Sequence, residues 1–293
     1  MERFWLHRYA IVLAVCTLFL VVAGASVTSK EAGLSVPDWP LSYGKVMPEM
    51  TGGVFFEHGH RMVATTVGFL TIILAVWLYR AEPRKWMKKL GLVALGAVIL
   101  QGLLGGLTVK LLLPPAVSVS HACLAQLFFS LTVAIALFTS RGWLEGPEIV
   151  ADHGWPSLRS LSILTPAMVL IQIALGAAFR HRAIGVLPHV IFSMVVTLMI
   201  LFTATFVLHQ FPEHRGLSAA AKALLGITFL QVMLGIVAYY TRSQATADPL
   251  AMVLTTVAHV ATGGLTLASS VVLAIQIRRN VCAHAGAPQA VAF

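Results

Sequence analysis

The chain has 293 residues, of which 58% are hydrophobic and only 11% are charged, whereas soluble domains carry about 25% charged residues. This composition excludes a soluble enzyme and predicts an all-α polytopic membrane protein. The 20 Lys and Arg residues against 11 Asp and Glu give a formal net charge of +9. Membrane orientation explains this excess, so no nucleic-acid partner is expected. Three isolated cysteines offer neither a disulfide framework nor a thiolate metal site.

Apolar stretches bounded by charged residues, Pro and Gly predict eight transmembrane helices, because each approaches the roughly 20 residues that cross a bilayer. In chain order they are Tyr9–Thr28, Gly59–Tyr79, Leu90–Lys110, Ser118–Ser140, Leu161–Phe179, Pro188–His209, Ala219–Tyr240 and Leu250–Ile277. Between the first two lies a long outer loop, residues 30–56, whose prolines and glycines argue against a continuous helix. Residues 141–159 form a cytoplasmic linker between the fourth helix and the fifth.

Basic residues indicate the orientation of these helices. If the N-terminus is cytoplasmic, 13 of the 20 Lys and Arg residues fall in cytoplasmic segments, including a dense run at residues 80–89. The positive-inside rule therefore predicts a multi-pass protein of a bacterial-type inner membrane with both termini cytoplasmic. Cleavage of Met1–Ala25 as a signal peptide is an alternative, but the repeat described next needs this helix.

The chain contains an internal repeat. The string Gln-x-x-Leu-Gly occurs near the outer end of three odd-numbered helices, and a degraded version occurs in the first; the four strings are Leu20–Gly24, Gln101–Gly105, Gln172–Gly176 and Gln231–Gly235. A histidine near the start of the next helix follows each string, and these are His60, His121, His189 and His259. We therefore predict two tandem four-helix bundles, residues 1–140 and 160–280, followed by a flexible tail, 281–293. A pseudo-two-fold axis along the membrane normal should relate the bundles.

The four repeated histidines are the candidate metal ligands. Each bundle would hold two of them near its outer end, and opposed neutral imidazoles across a bundle core can bind haem iron. Zinc is an alternative that prefers four tetrahedral ligands and more Cys or carboxylate than the chain offers. A proton relay or hydrogen-bonded packing would also account for the histidines. His58 points about 160° away from His60 on a helical wheel, so these two cannot bind one iron.

The two halves differ beside their first histidine. Glu57 and Arg61 share a helix face with His60, whereas the equivalent residues of the second half are Val186 and Val190. This asymmetry predicts one permanent haem and one haem on which chemistry is done. Glu57 itself could be a neutral packing residue, a partner of Arg61 or a catalytic group.

Taken together, these motifs resemble one known family. The pattern Glu57-x-x-His60-Arg61, the preceding Gly-Leu-Ser-x-x-Asp-Trp-Pro of residues 33–40 and the repeated histidines and strings are similar to heme A synthase. The resemblance covers nearly the whole chain. It implies a haem-dependent membrane oxidoreductase that converts a ring methyl of heme O into the formyl group of heme A for cytochrome oxidase biogenesis.

The resemblance also implies roles for single residues. It makes His189 and His259 the ligands of a haem b, and His60 and His121 the ligands of the substrate haem. Arg61 becomes a further cofactor-binding residue and Glu57 the catalytic residue. The implied partners are heme O, heme O synthase, an unidentified electron donor, the lipid bilayer and a second copy in a homo-oligomer. One branch of the family carries cysteine pairs in its outer loops, which this chain lacks.

Two other functions fit parts of the pattern. A two-haem electron carrier of the cytochrome b type would need the same histidine pairs but would leave both haems unmodified. A transporter built on the tandem repeat would need polar or broken helices near the bilayer midplane, and the polar residues here cluster at one end of the helices.

Overall fold

The computed structural model describes residues 2–152, 155–244 and 249–283. The helices of this part of the chain are α1 (Glu2–Ser29), α2 (Gly52–Ala81), α3 (Lys85–Lys110), α4 (Pro115–Thr139), α5 (Arg141–Leu144), α6 (Leu158–Arg180), α7 (Leu187–Gln210), α8 (Arg215–Ser243) and α9 (Pro249–Asn280). Two short strands, β1 (Val150–Asp152) and β2 (Val281–Ala283), complete the described elements.

Every helix except α5 is long and apolar enough to cross a membrane, which gives eight spans within the described residues. Large apolar side chains on these helices point outward; Phe69, Leu198 and Phe229 are 62%, 66% and 68% exposed. A contiguous apolar surface of this kind is rare on soluble monomers and suits lipid. The predicted all-α polytopic membrane protein with eight spans is confirmed.

The second helix begins earlier than predicted. It starts at Gly52 rather than Gly59, so Glu57 and His58 belong to α2. Thr51 is extended and Gly52 has a positive φ of 53°, a conformation that favours glycine and turns the chain into the helix. Residues 52–56, predicted as the end of the outer loop, are therefore helical. Hydropathy missed these residues because two glycines begin the segment and the polar Glu57 and His58 separate its short apolar run from the long one that follows.

Buried apolar side chains form two separate clusters. One cluster lies among α1–α4 around Leu13, Leu74 and Ile135, and the other lies among α6–α9 around Ile200 and Leu224. In each half the first and third helices pack on both the second and the fourth. The halves meet where α4 contacts α9, α1 contacts α9 and α4 contacts α6. Equivalent helices thus make equivalent contacts, and the pseudo-two-fold axis itself stays a prediction.

The predicted linker and tail meet in a small parallel sheet. Val150 pairs with Val281, and Asp152 pairs with Ala283. The Asp152 carboxylate also accepts a hydrogen bond from the Leu158 backbone N–H at 2.8 Å, which fixes the start of α6. The predicted flexible tail therefore begins with three residues of strand, while its residues 284–293 lie outside the described part. Three-residue strands are too short to give a periodic sequence signal.

Candidate functional site

Each repeated histidine lies against the glycine that ends the preceding string. A Cβ atom added to that glycine would meet the imidazole Cε1 in every case: at 3.0 Å for Gly24 and His60, 3.2 Å for Gly105 and His121, 2.8 Å for Gly176 and His189, and 2.9 Å for Gly235 and His259. The string and the histidine therefore form one structural unit that occurs four times. In each unit an odd-numbered span of its bundle supports the imidazole of the next helix.

His189 and His259 face each other in the second half. Their ring centroids are 6.3 Å apart and the ring planes are nearly perpendicular, at 89°. His259 Nδ1 lies 3.2 Å from the Gln231 carbonyl oxygen. Only a protonated Nδ1 can donate to a carbonyl, so this contact leaves Nε2 with a free lone pair. The Gln172 side-chain amide lies 3.0 Å from His189 Nδ1 and also donates to the His189 carbonyl oxygen at 2.9 Å.

This pair fits an iron held between two imidazoles. Imidazole nitrogens bind first-row metals at about 2 Å, so two rings on opposite sides of one metal have centroids roughly 6 Å apart, close to the separation of His189 and His259. Within the described residues no group of three or more His, Cys, Asp or Glu side chains comes together. Two imidazoles per site do not make the tetrahedral set that zinc prefers, whereas they are sufficient axial ligands for a haem.

His60 and His121 form the corresponding pair in the first half, and they are close enough to interact electrostatically. The Gln101 amide donates to the His121 carbonyl oxygen at 3.0 Å, as Gln172 does for His189. The Nδ1 atoms of His60 and His121 are buried and have no hydrogen-bond partner among the described residues. The first pair therefore lacks the Nδ1 contacts that orient the rings of the second pair.

Glu57 and Arg61 attach the outer loop to α2. The buried Glu57 carboxylate accepts one hydrogen bond from Arg61 Nη2 at 2.7 Å and another from the Val36 backbone N–H at 2.8 Å. Arg61 Nη1 donates to the carbonyl oxygens of Asp38 and Leu41 at 2.8 and 2.9 Å. Glu57 lies one helical turn before His60 and Arg61 directly follows it, so both side chains hold the loop beside this candidate iron ligand. The Glu57–Arg61 pairing is one of the three roles that the sequence left open.

Two further contacts close the loop over the first half. His58, which is buried, places Nδ1 at 2.8 Å from Ser42 Oγ, so it serves the loop and not the iron site. Trp39 packs against Gly106 of α3 so closely that a Cβ there would lie 2.6 Å from the indole. The loop therefore spans from α2 to α3 and covers the end of the first bundle that carries His60.

Asp38 stabilises a turn in the middle of this loop. Its carboxylate accepts hydrogen bonds from the backbone N–H groups of Tyr43 at 2.7 Å and Gly44 at 2.8 Å. The Gly44 and Tyr43 N–H groups, together with the Arg61 guanidinium, hold the pKa of Asp38 below its ordinary value of 3.8. Tyr43 has a positive φ of 54°, and these bonds fix that conformation.

The second half has no equivalent loop between its first two helices. Residues 181–186, all of them described, are the whole connection from α6 to α7, and Val186 directly precedes α7. Val186 and Val190 carry neither a carboxylate nor a guanidinium, as predicted from the sequence. Within the described residues, the connection between the first two helices of the second half therefore does not cover the second pair in the same way.

The sequence analysis missed the role of Arg180 at the end of α6. Its Nη2 donates to the Ala25 carbonyl oxygen at 2.7 Å and to Ser29 Oγ at 2.6 Å, both on α1. It also interacts electrostatically with His259 and Arg242. The available signal was its position four residues after Gly176, which places it one turn further along the same helix face.

Comparisons with known proteins show which family the chain resembles. The family model described as cytochrome oxidase assembly protein matches residues 7–52 and 49–188, more than half of the chain. A heme A synthase of Symbiobacterium thermophilum is 30% identical over 169 residues, covering 56% of this chain and 55% of that protein. One of Shewanella oneidensis is 28% identical over 194 residues, covering 60% and 56%.

A longer match is the heme A synthase of Beijerinckia indica, which is 28% identical over 276 residues and covers 78% of this chain and 74% of that protein. The chain spans about half the length of the first two relatives. The family match includes the outer loop, Glu57, Arg61 and the first histidine pair, His60 and His121. The chain belongs to the cytochrome oxidase assembly protein family.

Proposed function

We propose that the protein is a heme A synthase, a membrane oxidoreductase that oxidises a ring methyl of heme O to the formyl group of heme A for cytochrome oxidase biogenesis. The observation that carries the proposal is the contrast between two equivalent histidine pairs, of which only one lies beneath a loop held by Glu57 and Arg61. The relatives named heme A synthase support the same function.

His189 and His259 would hold a resident haem b, which supplies redox chemistry when bound. Their separation suits two axial ligands, and His259 Nδ1 donates to the Gln231 carbonyl oxygen. An acceptor of this kind fixes ring orientation and increases metal affinity, whereas the Gln172 amide holds the His189 ring and backbone through contacts at Nδ1 and the carbonyl oxygen. Arg180 places a guanidinium near His259 that can attract the carboxylates of a haem.

His60 and His121 would bind heme O as the substrate. Their unpartnered Nδ1 atoms imply a less firmly oriented ligand pair, which suits a molecule that must enter and leave. The outer loop would exclude water from this site, and Arg61 would contribute to haem binding mainly by holding that loop. A supplier such as heme O synthase, a separate electron donor and a homo-oligomer belong to the same proposal.

Glu57 would act on the substrate rather than merely hold the loop. It precedes His60 by three residues, so the two lie on neighbouring parts of one helix face. A carboxylate next to a methyl group that is being oxidised can take a proton from water or stabilise positive charge on carbon. The hydrogen bonds from Arg61 and Val36 would then fix the carboxylate in position.

Pigment extraction tests the function directly. Cells that express the protein together with a heme O synthase should accumulate heme A or its alcohol precursor. Cells that lack the protein should contain heme O only. Two unmodified haems on the purified protein, with no heme A in the cells, would contradict the proposal and favour an electron carrier.

The proposed topology places both termini in the cytoplasm of a bacterial-type inner membrane and both histidine pairs near its outer face. The 13 basic residues of the cytoplasmic segments support this orientation. Reporter fusions after Lys89 and Arg279 should read cytoplasmic, and a fusion near Tyr43 should read periplasmic. A cytoplasmic signal at Tyr43 would invert the topology.

A further inference from the structure

The glycine of the repeated string is present in all four copies, whereas the glutamine is present in three. All four strings end in Gly, whereas the first string has Leu20 in place of Gln. The contact with the histidine is likewise present four times, with Cε1 at 2.8 to 3.2 Å from a hypothetical Cβ. A glycine that occurs at every repeat position and meets the same atom of the same side chain points to a requirement at that position.

We infer that Gly24, Gly105, Gly176 and Gly235 are positioning residues that set the orientation of the four imidazoles toward iron. The inference rests on the proposed function, because it assumes that these imidazoles bind haem. It assigns the repeated string a specific task. In two units the glutamine, Gln101 or Gln172, secures the backbone of the histidine-bearing helix, and in all four the glycine leaves room for the ring.

The side of the imidazole ring that faces each glycine can be read from the distances to its two nitrogens. At all four glycines the hypothetical Cβ is nearer to the histidine Nδ1, at 3.1 to 3.8 Å, than to Nε2, at 3.6 to 4.0 Å. The glycine backbone therefore supports the Cε1–Nδ1 side of each ring. Nε2 lies further from the glycine in each unit, and in two units the glutamine amide of the supporting helix approaches it, at 3.4 Å for His121 and 3.5 Å for His189.

The four sites differ in how much space they leave. Atoms essentially never approach a real Cβ closer than 3.0 Å, and the contacts at Gly176 and Gly235 would be 2.8 and 2.9 Å. An alanine there must displace the ring. At Gly24 and Gly105 the contacts would be 3.0 and 3.2 Å, so a smaller displacement is sufficient. We therefore expect a Gly→Ala substitution to disturb the second histidine pair more than the first.

Other glycines on the same helices provide matched controls. Gly226 lies on α8 with Gly235, and Gly102 lies on α3 with Gly105, and a Cβ added to either control would meet nothing within 4 Å. Alanine has the higher helix propensity, so the control substitutions should not weaken their helices. A difference in haem binding between the two alanine variants of one helix is then caused by the contact with the histidine.

The test compares Gly235→Ala with Gly226→Ala in the full-length protein purified with its haem. A ferrous haem with two histidine ligands has no free position for carbon monoxide, whereas a displaced His259 opens one. We expect Gly235→Ala to bind carbon monoxide and to lose haem affinity by about 10-fold, the lower end of the usual effect of lost ligand support. Gly226→Ala should match the wild-type absorption spectrum and haem content.

Each result decides the inference. Unchanged haem content and no carbon monoxide binding in Gly235→Ala would overturn it, even if the wild-type protein makes heme A. Conversely, a protein that makes no heme A but shows the expected difference between the variants would contradict the proposed function alone. A wild-type protein that binds no haem would overturn both.

If Gly235→Ala does not accumulate in the membrane, the milder pair Gly105→Ala and Gly102→Ala gives the same comparison for His121. Binding of added heme O, followed by its absorption spectrum, is then the measurement. Equal heme O spectra and affinities in these two variants would overturn the inference for the first bundle.

Discussion

The two bundles use the same supporting unit for their histidines but surround the histidines differently. In the second bundle, Nδ1 of both His189 and His259 has a polar contact, to Gln172 and to the Gln231 carbonyl. In the first bundle both corresponding Nδ1 atoms are buried without a partner among the described residues.

The first bundle has instead a loop that the second lacks between its first two helices, residues 181–186 being the whole connection there. Glu57, Arg61 and His58 hold this loop through contacts with Val36, Asp38 and Ser42, and Trp39 reaches α3. A repeated scaffold can therefore serve two tasks when the groups around its ligands change. Firm ligand support suits retention of a haem, whereas looser ligands beneath a loop suit turnover.

The largest expected effect comes from the ligands themselves. His189→Ala and His259→Ala should each abolish the six-coordinate spectrum of the proposed haem b, because each removes one of its two proposed axial ligands. His60→Ala should leave that spectrum in place and abolish heme A formation. Absorption spectra of purified protein, combined with pigment extraction, measure both effects. A retained spectrum in both second-bundle variants would show that this pair is not the haem b site.

Glu57→Gln should separate catalysis from loop anchoring. The amide keeps the size of the side chain, and its oxygen can keep one of the two hydrogen bonds that Glu57 accepts, while its NH2 group faces the donor of the other. It cannot exchange a proton, and Arg61→Lys controls for the weakened loop contact. We expect heme A formation to fall by about 10² or more, the usual scale for a lost general acid or base, with haem b content unchanged. Heme A in membranes is the measurement.

Arg61→Lys is the matched control for Glu57, because it disturbs the loop contacts while Glu57 keeps its charge. A smaller loss of heme A in Arg61→Lys than in Glu57→Gln supports the catalytic role. Near-wild-type heme A formation in Glu57→Gln would show that Glu57 is not catalytic and acts only as a partner of Arg61.

Removing the glutamine support should affect the bundles unequally. Gln172→Leu removes the amide contacts with the His189 carbonyl oxygen and ring, which hold this residue in place, and should lower haem b affinity by about 10-fold, the lower end for a lost ligand support. Gln101→Leu removes only the contacts with the His121 carbonyl and Nε2, so haem b content should not change. Equal loss of haem b in both variants would contradict the proposed difference between the bundles.

The smallest expected effect is that of Asp38→Asn. The pKa of Asp38 is depressed in the folded state, so its stabilisation of the loop is complete above the ordinary value of 3.8 and is lost as the pH falls through the lower folded-state value. Protease cleavage near Tyr43 should therefore be independent of pH between about 5 and 8 in the wild type. The substituted amide offers one neutral oxygen in place of two charged ones, so cleavage of the variant should be modestly faster at neutral pH. Equal cleavage rates in the variant and the wild type would show that this carboxylate does not stabilise the turn.

Much of this site could be predicted from the residues alone. Apolar runs of membrane length located the eight spans, and the period of about 130 residues located the four histidines. The substitution of Glu57 and Arg61 by valines in the second half was also visible in the sequence. These features are local or repeated, so they do not depend on knowing which helices touch.

Other features depend on contacts between distant parts of the chain. Only the tertiary structure placed each glycine against its histidine, because the two lie on different helices and are 13 to 36 residues apart. It also decided that both oxygens of Glu57 accept hydrogen bonds, that Arg180 reaches α1, and that β1 pairs with β2 across 131 residues. Amino-acid composition and periodicity determine which segments enter the membrane; packing between those segments determines what each polar group meets there.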